Sequence, residues 1–164
     1  MSEAAPLARV FCPDLPALQH AARQLVGLAR REVLILTPDL EPERLSDPEL
    51  AQALLDFLRE SPRHTVQVLI SSDARWMPGP HALVQLHHRL PSRLPIRQVR
   101  DTEGTGEQVI WVDGRHRLSA QKNERGWSGW LSPDDLSRGQ EARTQFLQLW
   151  QRAVELPDLR RLSL

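Results

Sequence analysis

From Gly106 to Asn123 the chain reads Gly-Glu-Gln-Val-Ile-Trp-Val-Asp-Gly-Arg-His-Arg-Leu-Ser-Ala-Gln-Lys-Asn, which sets cationic and amide side chains among apolar ones. Asp113-Gly114 is a dipeptide favoured in two-residue type I′ turns. The spacing therefore predicts a β-hairpin with Val112 facing Arg115, Trp111 facing His116, Ile110 facing Arg117, Val109 facing Leu118 and Gln108 facing Ser119. Strand alternation then puts Val109, Trp111, His116 and Leu118 on a core face, and Gln108, Ile110, Val112, Arg115, Arg117 and Ser119 on the other. On that second face Arg115 and Arg117, with Lys122, Asn123 and Arg125 in the loop that follows, have the chemistry to hold a phosphate through charge-assisted hydrogen bonds. The alternative is that they are exposed hairpin residues neutralised by neighbouring acids. The candidate anion-binding set is Gln108, Arg115, Arg117, Ser119, Lys122 and Asn123. His116 reads as a histidine packed on Trp111 rather than as a catalyst.

The other ionisable residues offer less. His81, His87 and His88 fall on one predicted helix, but adjacent histidines point to different faces and lack the i, i+4 pairing of helical metal sites. His20 and His64 have no motif around them. Asp134-Asp135 reads as helix-start chemistry, and Asp39, Glu41 and Glu43 as a solvated loop. Cys12 is the sole cysteine, which excludes an internal disulfide and a CxxC metal site and fits a reducing compartment. No metal and no cofactor are expected.

A chain of 164 residues suffices for one domain with a buried core of mixed helices and strands. Its 21 acidic and 21 basic residues cancel, so bulk charge does not recruit nucleic acid or an anionic membrane, and any anion site must be local. Lys122 is the only lysine, which leaves nearly all positive charge on guanidinium groups suited to bidentate contacts. The opening Met-Ser-Glu-Ala-Ala-Pro lacks the basic start and apolar core of a signal peptide. No apolar run approaches the roughly 20 residues that span a bilayer. The expectation is a cytoplasmic protein without a membrane span.

These residues must be positioned by the elements around them. Residues 1–13 read as an arm with a short strand near Val10 and Phe11. Asp14 caps a helix that runs to about Arg31, and Val33–Thr37 is an apolar strand covered on both faces. After a loop from Asp39 to Arg44, Asp47-Pro48-Glu49 starts a helix to about Glu60, and Thr65–Ile70 is a second central strand ending in the polar run Ser71 to Trp76. Gly79-Pro80 opens a third helix with Leu83, Leu86, His87 and Leu90 on one face. Pro95–Arg100 is a weaker strand nearer an edge, and Asp101–Gly106 a loop. The hairpin follows, then an irregular loop from Asn123 to Leu131, then a helix from Ser132-Pro133-Asp134-Asp135 to about Glu155, which Pro157 ends. This alternation specifies an α/β fold with a mixed, mainly parallel sheet flanked by helices on both faces. The domain is expected over residues 14–156, with residues 157–164 as a tail.

A strand ending in Asp-Gly, a returning strand, a polar loop and a long helix carrying Phe146-x-x-x-Trp150 resembles one half of the phospholipase D superfamily. It is most similar to the short, degenerate phospholipase D-like domains of bacterial proteins. The signature there is H-x-K-x-x-x-x-D, whose histidine is the nucleophile in phosphodiester cleavage and whose lysine holds the phosphate. Laid on Val-Ile-Trp-Val-Asp, the pattern places Gly106 at the histidine, Gln108 at the lysine and Asp113 at the aspartate. Ser119-Ala120-Gln121-Lys122-Asn123 stands where the family keeps a Gly-Ser-x-Asn pattern. Glycine cannot attack and neutral glutamine stabilises charge less well than lysine. The resemblance thus implies a domain that does not hydrolyse phosphodiesters by the family mechanism. It would act in binding a phosphate or phosphodiester ligand, or in protein assembly. The alternative is an active phosphodiesterase or nuclease that uses nonstandard residues. Family halves meet about a two-fold axis, so a single half implies a homodimer. Trp76, Trp127 and Trp130, in predicted loops, would suit a partner surface or cover the sheet edge.

Overall fold

The computed structural model describes residues 9–40, 42–71, 81–100, 106–132 and 134–156. The first eight residues of the arm, Glu41, Ser72 to Trp76, Gly79-Pro80, the loop 101–105, Pro133, Pro157 and the tail lie outside the described residues. The elements are β1 (Val10–Cys12), α1 (Leu15–Gly27), β2 (Glu32–Thr37), the single turn α2 (Pro42–Leu45), α3 (Pro48–Glu60), β3 (Thr65–Ile70), α4 (Ala82–Arg89) and β4 (Ile96–Gln98). They continue with β5 (Gln108–Val112), β6 (His116–Asn123), β7 (Gly126–Ser132), α5 (Leu136–Arg152) and β8 (Val154–Glu155).

Local signals start the helices. The Asp14 carboxylate accepts the Ala17 N–H at 3.0 Å, and that of Asp47 accepts the Glu49 N–H at 3.0 Å, each satisfying a donor left over in a first helical turn. Arg23 joins the two helices, its Nε 2.9 Å from Asp47 and its Nη1 2.8 Å from Glu49. The apolar stripe Leu18, Ala22, Leu25 and Val26 of α1 packs with Leu50, Leu54, Phe57 and Leu58 of α3 over Val33, Ile35, Val66 and Val68. On the opposite side of the sheet, Phe146 of α5 closes a smaller core with Leu34, Leu69 and Val99. The central residues of β2, Val33 to Leu36, are apolar on both faces, and β3 becomes so from Val68 to Ile70, where both faces are covered.

The eight strands form one sheet in the order β1-β7-β6-β5-β2-β3-β4-β8. The sheet is mixed and flanked by helices on both faces, as expected. Its parallel share is smaller than expected: only β2–β3 and β3–β4 are parallel, and the other five pairings are antiparallel. The difference comes from residues expected as an irregular loop, which are β7, paired with β6 from Arg117↔Ser132 to Asn123↔Gly126 and with β1. β7 can lie there because Gly129 has no side chain: a Cβ on it would run into the Ser119 carbonyl. The helix expected to reach Glu155 ends at Arg152, and Val154–Glu155 turns back as an edge strand on β4. Among the described residues no helix is long and apolar enough to cross a membrane.

Gly139, in the first turn of α5, meets the hairpin turn so closely that an added Cβ would collide with the Gly114 carbonyl, whereas a Cβ on Gly27 of α1 meets nothing. Gly139→Ala should therefore lower stability by about 2 kcal/mol or more despite its better helix propensity. Gly27→Ala should raise it by about 0.5 kcal/mol. Urea unfolding of the two variants checks the opposite signs.

Candidate functional site

The hairpin forms about Asp113-Gly114, both with positive φ (57° and 64°), and is closed by a hydrogen bond from Arg115 N–H to the Val112 carbonyl. Its register is one residue away from that expected. Val112 pairs with His116, Trp111 with Arg117, Ile110 with Leu118, Val109 with Ser119 and Gln108 with Ala120. Arg115 is the extra residue: its carbonyl accepts the Asp135 N–H at 2.9 Å, so it faces the start of α5 instead of joining the ladder.

A slip of one residue exchanges the faces. Gln108, Ile110, Val112, Leu118 and Ala120 turn toward the large core under α1 and α3, while Val109, Trp111, Arg117 and Ser119 turn to the side of α5. The expected core face of Val109, Trp111, His116 and Leu118 is thus split between the two sides. His116 is not packed on Trp111; its Nδ1 accepts the Asp134 N–H at 3.1 Å, a structural role with a different partner.

The candidate anion-binding residues are likewise divided. Arg117 lies over the Trp111 ring and meets both Glu107 oxygens at 3.3 Å. Arg115 faces Asp134 at 3.6 Å, and Lys122 Nζ lies 3.1 Å from Glu43. Asn123 accepts the Arg125 N–H at 2.8 Å within the β6–β7 turn, and Ser119 is buried. The three cations each have a carboxylate beside them.

The residues expected as a motif remnant are Gly106, Gln108 and Asp113. Gly106 sits at φ +75°, left-handed backbone beside open space. Gln108 is 1 % exposed; its Nε2 donates at 3.1 Å to the Thr37 hydroxyl at the end of β2, and that hydroxyl donates to the Asp39 carbonyl. Its Oε1 is buried without a donor among the described residues. The Asp113 carboxylate accepts three consecutive backbone N–H groups, from Arg30 at 2.9 Å, Arg31 at 2.7 Å and Glu32 at 3.1 Å.

Two residues with no site role in the sequence reading, Glu43 and Arg44, stand out beside β6 and β7. Glu43, expected in a solvated loop, accepts from both Lys122 and Trp127 Nε1 (2.7 Å), and these bonds hold its carboxyl below the usual range. Arg44 is 3 % exposed, stacked over the Trp127 ring at 5.6 Å, and its Nε and Nη1 have no acceptor among the described residues. Burial pushes its pKa down to about 10. Burial also pushes the Cys12 thiol up, against the pull of the Arg44 charge. Only the guanidinium's buried neighbours reveal this, and they come from β1 and β7, remote in sequence. Among the described residues no three His, Cys, Asp or Glu side chains gather as metal ligands would.

At neutral pH the Arg44 guanidinium is charged in the folded and the unfolded chain, so the full penalty of burying it is present there. It is relieved only as pH rises through about 10. Arg44→Met should therefore raise stability at pH 7 by about 1–3 kcal/mol, read from the urea midpoint. A lower midpoint would show that the charge has a partner.

More than nine-tenths of the chain superposes on each of several solved structures. It superposes on Nuc from Salmonella typhimurium, a phospholipase D family member, with a TM-score of 0.67 at 12% identity, covering 93% of this chain and 99% of that one. NucT from Helicobacter pylori gives 0.66 at 12% identity, with 91% and 98% covered. Phosphatidylserine synthase from Haemophilus influenzae gives 0.57 at 17%, with 91% of this chain and 39% of that one covered. Among curated proteins none matches by sequence. The fold is that of the phospholipase D-like proteins. Residues 14–162 match the family described as a domain of unknown function, DUF7931, and the chain belongs to it.

Proposed function

We propose that this domain keeps the phospholipase D-like fold without its hydrolytic chemistry and acts by binding a phosphate-containing ligand or by assembling with protein. The observation that carries this reading is Gln108. At the lysine position of the family signature stands a neutral amide, buried and turned to Thr37 rather than toward a substrate. Gly106, two residues earlier, brings no nucleophile. Covalent phosphoryl transfer needs both an attacking group and a cation opposite the phosphorane oxygens. Purified protein should therefore hydrolyse an aryl phosphodiester no faster than buffer alone.

A second reading, an active phosphodiesterase or nuclease, draws on one residue. His81 caps α4, is 5 % exposed and lies just beyond the segment that follows β3. Its Nδ1 accepts the Val84 N–H at 3.4 Å, which favours a capping role. Hydrolysis well above background that His81→Ala abolishes would establish this second reading in place of the first.

Self-association as a homodimer belongs to the first reading. Supporting it, Phe11 and Trp130 lie 5.0 Å apart, both exposed, on the sheet face that α5 leaves open beyond β6. Mass measured in solution at high micromolar concentration should be that of a dimer. A monomer there would count against two-fold assembly.

A further inference from the structure

At the other end of the hairpin, where β2 and β3 begin, a cavity of about 340 Å³ is lined by Arg31, Arg63, Arg143, Thr65, Gln140 and two acids, Glu32 and Asp113. We propose that this cavity binds the phosphate group of a small phosphorylated molecule.

Its acceptors are already used. Glu32 takes both Nε (2.7 Å) and Nη2 (3.3 Å) of Arg143. Asp113 takes the three backbone N–H groups of residues 30–32. The Glu32 carboxylate, which grips Arg143 through two nitrogens, raises the Arg143 pKa. What remains is a set of donors. The Arg31 and Arg63 guanidiniums meet no carboxylate among the described residues, and the Thr65 hydroxyl and Gln140 amide sit beside them. A hollow whose acceptors are saturated and whose spare groups are guanidinium, hydroxyl and amide selects an oxyanion. The intramolecular precedent is Asp113 itself, a carboxylate already drawn to the amides of this junction.

The volume falls within the range of small-molecule pockets, roughly 300–1,000 Å³, and the polar lining calls for a ligand to match. The cavity lies at the Asp113 end of β5, and Gln108 at the opposite end, so it does not depend on the proposed function.

Arg31 and Arg63 are exposed, so their truncation leaves the cores intact. Titration calorimetry with inorganic pyrophosphate, and in parallel with a nucleoside monophosphate, is the test. Binding of one equivalent is expected for at least one probe. Its dissociation constant should rise at least ten-fold in Arg31→Ala and in Arg63→Ala, and remain unchanged in Arg89→Ala, which removes an exposed arginine from α4. Circular dichroism confirms that each variant is folded. Absence of binding by both probes would overturn the proposal. So would binding that neither arginine variant weakens, or binding only to single-stranded nucleic acid.

Discussion

One carboxylate grips three consecutive backbone amides where the hairpin meets β2. Asp113 occupies a left-handed turn position, donates its own N–H to the Glu32 carbonyl at 3.0 Å, and accepts from Arg30, Arg31 and Glu32. A hydrogen bond to a charged group contributes about 1.5–3 kcal/mol, so the cluster is among the stronger local contacts of the domain. It ties the end of β5 to the start of β2. From there the antiparallel ladder runs Val33↔Val112 to Leu36↔Val109, and the next residue, Gln108, falls beside Thr37. The aspartate therefore decides where the glutamine lies.

That placement puts polar groups where the sheet is otherwise dry. At the ends of β2 and β5, Gln108 and Thr37 sit on the face whose other residues form the large core, and Arg44 is buried nearby on α2. A buried polar atom without a partner costs about 1–3 kcal/mol, and a buried charge more. Gln108 Oε1 and the Arg44 guanidinium bear that cost, while the opposite end of the hairpin has its carboxylates saturated.

Local chemistry carried much of the fold into the sequence. Asp14 and Asp47 announce helix starts because a capping side chain acts within three residues of itself. Val33–Thr37 announces a central strand because it is almost unbroken in apolar residues, and Thr65–Ile70 because it alternates and then becomes fully apolar. The hairpin was legible from Asp113-Gly114, but its register was not. The Arg115 carbonyl is captured by Asp135, twenty residues on, and no turn rule contains that contact. The strand β7 was hidden by Gly126 and Gly129, which punctuate a loop in isolation and here admit a strand against Ser119. The candidate site was legible as residue types only. Arg115, Arg117 and Lys122 are cations in any reading, yet Asp134, Glu107 and Glu43 neutralise them through contacts set by the tertiary fold.

If the domain lacks the family's hydrolytic chemistry, as proposed, no histidine in it forms a covalent bond to phosphorus. That claim is tested most directly by the mass of the intact protein, acid-quenched during incubation with an aryl phosphodiester. The mass should equal that of the unmodified chain at every time point. A phosphoryl adduct that maps to a histidine, and disappears when that histidine is replaced, would contradict the account.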